Sequence, residues 1–251
     1  MSDATHIPEA PTVILVHGAF ADGSSWAGVI ERLHRRGVKT VAPANPLRGI
    51  SADSAYIASV LAQTPGRVVA VGHSYGGAVI SNAANDADNV VGLVFVAAFA
   101  PDEGEMLGEV EAGSKDSVLN AALVPHQYPT ADGGSATEFS IDPAKAREAF
   151  AGDCTDEQAA LIAAVQRPVA ELAFTEPNGP PAWRSKPTWA VVATGDKAAG
   201  TDVVRSMAER AGATTTEVEG SHVIMISQPD IVANVILEAV AAVGAPVGAA
   251  G

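Results

Sequence analysis

Short apolar, β-branched runs alternate along this chain with stretches whose apolar residues recur at helical spacing. The helical patterns cover residues 24–33, 51–63, 75–84, 201–211 and 229–243. The six runs that predict strands are residues 12–16, 38–41, 67–71, 90–97, 188–193 and 214–218. Strands that alternate with helices predict a mostly parallel six-stranded sheet with right-handed crossovers and helices on both faces, an α/β fold.

The alternation breaks once, between Pro101 and Lys186, where no convincing strand occurs and two helical patterns cover residues 143–151 and 155–166. An insertion of this length exceeds an ordinary loop. We therefore expect residues 1–100 and 187–251 to form the core and residues 101–186 to form a helical cap after the fourth strand. Gly133-Gly134 is the expected hinge of the cap, and the Ala/Gly-rich end, 245–251, is expected to fray.

Length and charge indicate the number of domains and the kind of partner. The 251 residues suit one domain, and 15 basic against 29 acidic residues give a formal charge of -14. Such a surface repels phosphate backbones and anionic lipids, so we expect a small-molecule partner and neither nucleic acid nor membrane. A homodimer is compatible with the sequence.

The N-terminus and the cysteine usage indicate the compartment of the protein and exclude two kinds of cysteine site. Residues 1–11 lack the basic region and apolar stretch of a secretory signal, and no apolar run is long enough to span a bilayer, so a cytoplasmic protein is expected. Cys154 is the sole cysteine, which excludes an internal disulfide and a multi-cysteine zinc site. We expect it to be a packing residue.

The segment Gly72-His73-Ser74-Tyr75-Gly76 fits the pattern G-x-S-x-G between a predicted strand and a predicted helix. In that context the pattern is typical of a nucleophile elbow, in which the glycines let backbone segments pass closely and the serine occupies a strained turn. A glycine-rich turn with a capping serine is the alternative. We predict that Ser74 is a nucleophile.

A serine hydroxyl needs a base, and the expected chain order in such a fold is serine, acid, histidine. His222 follows the sixth predicted strand, which returns it to the carboxyl edge of the sheet where Ser74 lies. The other histidines fit less well, because they lie in the tail, on a polar helix, in the two motif loops or in the cap. They are His6, His34, His17, His73 and His126.

The predicted acid is Asp196, which directly follows the fifth predicted strand. A Gly-Asp turn with a solvated carboxylate is the alternative interpretation. Asp102 and Glu103 are rival acids, because they follow the neighbouring fourth strand and end at the same edge.

Acyl transfer also requires donors to a tetrahedral oxyanion. The backbone N–H of Tyr75, directly after the nucleophile, is one candidate. Gly18 lets the loop after the first strand turn, so that the Ala19 N–H can be the second.

With these motifs the chain resembles the α/β-hydrolase superfamily over nearly its whole length, and within it the carboxylesterase, methylesterase and hydroxynitrile lyase group. The lyases of that group carry threonine where this chain has Gly18 and lysine where it has Val223, which favours hydrolysis. The proline usual shortly after the acid is replaced, at about Gly200.

The resemblance implies a carboxylesterase-like enzyme that cleaves a small ester through an acyl-enzyme, without metal or organic cofactor. Lyase, perhydrolase or oxygenase chemistry on the same triad, and a non-catalytic small-molecule receptor, are the alternatives. The candidate substrate-lining residues are apolar and are Phe20, Phe139, Phe150, Leu161, Ile162 and Phe174.

Overall fold

A computed structural model describes residues 10–244 of the chain. The expectations for most of residues 1–11, for His6 and for the fraying end at 245–251 lie outside the described residues. No helix between residues 10 and 244 is long and apolar enough to cross a membrane.

The described residues form one main sheet of six strands, which are β1 (Thr12–Val16), β2 (Thr40–Val41), β3 (Val68–His73), β4 (Val90–Val96), β8 (Thr188–Ala193) and β9 (Thr214–Val218). The strand order in this sheet is β2-β1-β3-β4-β8-β9, and every neighbouring pair is parallel. The predicted parallel α/β sheet is confirmed. β2 is shorter than predicted, and β3 continues to His73, which carries the strand up to the predicted nucleophile.

Helices alternate with these strands. The helices of the described chain are α1 (Ala27–Arg35), α2 (Ile50–Gln63), α3 (Tyr75–Ala83), α4 (Leu107–Ala112), α5 (Ala146–Ala149), α6 (Asp156–Val165), α7 (Leu172–Thr175), α8 (Thr201–Arg210), α9 (Ile224–Ser227) and α10 (Pro229–Gly244). All residues of β3 and β8 are buried, and since successive side chains of a strand point to opposite faces, both faces of the sheet are covered.

The segment between β4 and β8 contains a second, three-stranded antiparallel sheet in addition to α4, α5, α6 and α7. Its strands are β5 (Leu123–Pro129), β6 (Ser135–Ile141) and β7 (Val169–Ala170). The expectation that no strand occurs in this segment is therefore wrong, although the segment does contain helices. β5 is largely exposed and contains two prolines, so its sequence lacks the apolar alternation that reveals a half-buried strand.

Gly133 and Gly134 lie in the turn that joins β5 to β6. The Thr130 N–H donates to the Gly134 carbonyl (3.1 Å) and the Gly133 N–H donates to the Thr130 carbonyl (3.0 Å). Gly133 has φ +83°, the conformation that favours glycine in a tight hairpin turn. The two glycines therefore make a β-turn, and the prediction of a hinge is wrong.

Candidate active site

Ser74 lies between the last residue of β3 and the first residue of α3, in a backbone conformation of φ 53° and ψ −125°. This region is sparsely populated for residues with a side chain, and such strain recurs at functional sites. A Cβ added at Gly72 would lie 2.5 Å from the Gly76 carbonyl oxygen, and one at Gly76 would lie 2.5 Å from the Val16 oxygen. Only glycine fits at these two positions, and the tight turn places Ser74 at the end of the strand, where its residue is 6% exposed.

The loop after β1 lies directly against this turn. A Cβ added at Gly18 would lie 2.6 Å from the Ser74 Cβ, so the backbone that carries Ala19 passes next to the serine. Tyr75 is the first residue of α3, where backbone N–H groups have no partner within the helix. The structure thus brings both predicted oxyanion donors, Ala19 and Tyr75, to the neighbourhood of Ser74.

His17 fixes the conformation of the loop after β1. Its Nδ1 donates to the Gly18 carbonyl (2.9 Å) and its Nε2 accepts the Asn45 N–H (2.9 Å). The Asn45 amide also donates to the His17 carbonyl at 3.0 Å. Burial lowers the pKa of His17, which favours the neutral ring that this pair of hydrogen bonds requires.

Asp196 and His222 form a buried pair at the same edge of the sheet. The His222 Nδ1 lies 2.8 Å from the Asp196 Oδ2, and each residue is only 1% exposed. The other carboxylate oxygen, Oδ1, accepts the N–H groups of Ala198 (2.9 Å) and Ala199 (3.0 Å). A carboxylate at Nδ1 fixes the tautomer that leaves Nε2 free to accept a proton.

The rival acids have a different partner. Arg184 donates to Asp102 and, at 3.4 Å, to Glu103. Both carboxylates lie in this surface cluster, and the structure brings Asp196 rather than either of them to His222.

Comparison with known proteins shows which family the chain belongs to. A sequence model described as the alpha/beta hydrolase family matches residues 13–235. The chain belongs to the alpha/beta hydrolase family. This confirms the family that the sequence motifs predicted. No curated protein matches the chain.

Solved structures share the fold of this alpha/beta hydrolase at low sequence identity. Polyneuridine aldehyde esterase is 21% identical, with a TM-score of 0.77, over 92% of this chain and 99% of that chain. A pyrethroid hydrolase from Sphingobium faniae is 22% identical, with a TM-score of 0.74, over 93% and 98%. A methylesterase from Arabidopsis is 18% identical, with a TM-score of 0.75, over 92% and 99%.

His73 is a residue of the site that the motif pattern left without a role. Its Nε2 donates to the His222 carbonyl oxygen at 3.0 Å, and the two ring centroids are 4.7 Å apart. Burial is the main cause that lowers the pKa of His73 well below its usual value, so this alpha/beta hydrolase keeps the ring neutral. The position is the first variable residue of G-x-S-x-G, and the sequence carries no signal for this contact.

The loop of His222 is also held by the segment 101–186. The Ser221 hydroxyl donates to the carboxylate of Asp153, and the Phe150 ring centroid lies 4.9 Å from that of His222. Cys154 is buried beside them, and burial raises the pKa of its thiol to about 11.

Four of the six predicted lining residues meet at one cavity of about 260 Å³, formed between α6, the loop after β1 and α9. They are Phe20, Phe150, Leu161 and Ile162. Val223, which follows His222, also lines it. Phe139 and Phe174 lie elsewhere and pack against each other with ring centroids 6.4 Å apart.

The described residues, 10–244, contain no group of three or more histidine, cysteine, aspartate or glutamate side chains that could hold a metal ion.

Proposed function

We propose that this protein is a serine hydrolase that cleaves small esters through an acyl-enzyme, with Ser74 as nucleophile, His222 as base and Asp196 as the acid that orients the base. The observation that carries the proposal is the buried contact of 2.8 Å between His222 Nδ1 and Asp196 Oδ2, at the sheet edge where Ser74 occupies its strained turn. Membership of the alpha/beta hydrolase family supports it.

In this mechanism the neutral His222 takes the proton of the Ser74 hydroxyl through Nε2 as the oxygen attacks the ester carbonyl. The imidazolium that forms is stabilised by the Asp196 carboxylate. His222 then returns the proton to the leaving alcohol, which gives the acyl-enzyme. A water molecule, activated by the same histidine, releases the acid and restores the serine.

The negative charge that develops on the carbonyl oxygen needs donors that are fixed before the reaction. The backbone N–H groups of Ala19 and Tyr75 serve that role in the proposal. The Tyr75 group also lies at the N-terminus of α3, where the helix dipole favours an anion.

The apolar part of the ester is assigned to the cavity of about 260 Å³, because Phe150 and Val223 connect that cavity to the His222 ring and loop. Its size suits a compact apolar group. A larger cleft of about 580 Å³ adjoins the Asp196 and His222 loops, but charged side chains such as Arg147 and Lys197 line it. The smaller cavity includes Asp22 but is otherwise lined mostly by apolar residues, so an uncharged acyl or aryl group fits it better.

A fluorophosphonate tests the proposal, because it reacts with an activated serine. We expect it to label Ser74 of the wild-type protein, and we expect Ser74→Ala to abolish both labelling and turnover of aryl esters. Ser81→Ala is a matched control, since Ser81 is also buried and lies on the adjoining helix α3. Labelling at another residue, or equal turnover by Ser74→Ala, would overturn the proposal.

A further inference from the structure

Tyr75, whose backbone N–H is a proposed oxyanion donor, makes a buried hydrogen bond through its side chain. Its hydroxyl donates to Asp53 Oδ2 at 2.7 Å, and the exposures of Tyr75 and Asp53 are 1% and 0%. Burial, followed by the charge of Asp53, raises the pKa of Tyr75 well above its usual value. The phenol therefore remains a donor throughout the range in which enzymes work.

Asp53 lies in the first turn of α2 and collects further donors from the turn before that helix. The Arg48 N–H lies 3.1 Å from each carboxylate oxygen, and the Gly49 N–H lies 3.4 Å from Oδ2. This is the acceptor pattern of an ionised carboxylate. The turn needs such support, because Leu47 has φ +61° and a buried side chain.

The turn 45–49 also contacts the loop of the other oxyanion donor. Asn45 holds His17 through its N–H and its side-chain amide, and His17 in turn holds the Gly18 carbonyl next to Ala19. The turn 45–49 is thus linked to both residues that carry the proposed donors. Asn45 binds the loop before Ala19, and Asp53, which accepts N–H groups of the turn, also accepts the Tyr75 hydroxyl.

The same turn is fastened to the segment 101–186. The Ala170 N–H donates to the Leu47 carbonyl (2.9 Å), and Arg167 donates to the Asn45 carbonyl (3.0 Å). The Arg48 guanidinium pairs with Glu138 of β6 at 2.6 Å. These contacts join the turn 45–49 to the segment 101–186.

We propose that Asp53 is a positioning residue for the oxyanion hole: by holding the Tyr75 hydroxyl it fixes the first turn of α3, and with it the direction of the Tyr75 N–H. The inference rests on the proposed function. Asp53 touches no reacting atom in this role, because it is buried behind Tyr75 and acts only through that side chain. Fixed donors matter because catalysis depends on dipoles that are oriented before charge develops.

The test compares Tyr75→Phe, Asp53→Leu and the double variant with the wild type, because leucine is close in size to aspartate but has no oxygen to accept the Tyr75 hydroxyl. Tyr56→Phe is the matched control, since Tyr56 lies on α2 with an exposed side chain. The measurements are kcat and KM for an aryl acetate, the rate at which a fluorophosphonate labels Ser74, and the melting temperature.

We expect each single variant to lower kcat and kcat/KM together by about ten-fold, less than the full loss of an oxyanion donor, with KM nearly unchanged. The labelling rate should fall in parallel. The double variant should lose no more than the worse single variant, because both changes break the same contact.

A role confined to stability would lower the melting temperature and leave kcat of the folded protein within about two-fold of the Tyr56→Phe control, and this result overturns the inference. Additive losses in the double variant also overturn it. If one single variant does not fold, the other still decides between these results. A wild-type protein that neither labels nor turns over esters overturns the proposed function, and the inference with it.

Discussion

His73 and His222 are joined by a hydrogen bond between side chain and backbone, from His73 Nε2 to the His222 carbonyl oxygen at 3.0 Å. His73 immediately precedes Ser74, so the residue before the proposed nucleophile holds the main chain of the proposed base. The contact is buried, and the two rings also lie against each other with centroids 4.7 Å apart and planes tilted by 52°. The distance between Ser74 and His222 therefore depends on His73.

Replacing His73 by leucine should reduce kcat/KM, because the main chain of His222 loses the hydrogen bond that helps to position the catalytic ring. We expect a loss of about ten- to a hundred-fold, the size that a small misplacement of a catalytic group costs. His73→Gln retains an N–H donor and should recover most of the activity. Steady-state kinetics on an aryl ester provide the measurement.

The control for this substitution is His126→Leu, since His126 is exposed on β5. It should behave like the wild type. Equal losses in His73→Leu and His73→Gln would contradict the role of the hydrogen bond and would point to ring packing instead.

The two buried histidines His17 and His73 should make stability depend on pH. Burial lowers the pKa of both in the folded protein, so below about pH 6.5 the unfolded chain takes up protons that the folded chain does not. Their contribution to stability is present above that pH and is lost as the pH falls toward the folded-state pKa. Each can contribute up to about 1.4 kcal/mol per pH unit within this window.

Urea unfolding at pH 7 and pH 5.5 measures this effect. The free energy of unfolding of the wild type should decrease more between these two pH values than that of His17→Gln, which cannot titrate. Asp53 acts in the opposite direction, because burial raises its pKa, so the comparison of slopes isolates the histidine. Identical slopes in both proteins would contradict the prediction.

The sequence predicts which strand ends come together because parallel strands end at a common edge of the sheet. Ser74, Asp196 and His222 follow the ends of β3, β8 and β9. Apolar runs locate β3 and β8 from the chain alone, and a β-branched run locates β9. The structure then brings Asp196 and His222 to 2.8 Å. The order of residues along the chain was therefore sufficient to predict that Asp196 and His222 lie together.

The antiparallel hairpin of β5 and β6 could not be found in the same way. β5 is largely exposed and most residues of β6 are half-buried, so burial imposes no alternating pattern on either strand. The sequence Asp132-Gly133 in the turn was the available signal. Contacts such as Tyr75 with Asp53 join residues 22 positions apart through a hydroxyl and a carboxylate, and no periodicity in the sequence reports such a pair.

The acid of the proposed triad can be tested by amide substitution. Asp196→Asn keeps the size of the side chain but removes the charge that stabilises the imidazolium, so we expect turnover to fall by roughly two to four orders of magnitude. Asp102→Asn and Glu103→Gln should have small effects, because Arg184 is their partner. If either of them costs more turnover than Asp196→Asn in equally well folded proteins, the assignment of the acid is wrong.

The cavity beside Phe150 should set the length of the acyl group that the protein accepts. Leu161 lines this cavity and is 63% exposed, so a larger side chain there can narrow the cavity without disturbing the core. We expect Leu161→Trp to lower kcat/KM for an aryl hexanoate by about ten-fold and to leave the aryl acetate nearly unchanged, because only the longer chain reaches the altered wall.

Leu172→Trp provides the matched control, since Leu172 is 48% exposed on α7 and is not part of the cavity wall. It should leave the ratio of hexanoate to acetate turnover as in the wild type. Two results would contradict the assignment of the cavity to the acyl group: an equal loss for both esters in Leu161→Trp, or the same change of ratio in Leu172→Trp. An equal loss for both esters would mean that Leu161→Trp affects the chemical step. The same change of ratio in Leu172→Trp would mean that a bulky surface residue alters turnover wherever it is placed. A change of the hexanoate to acetate ratio in Leu161→Trp alone therefore reports binding in the cavity.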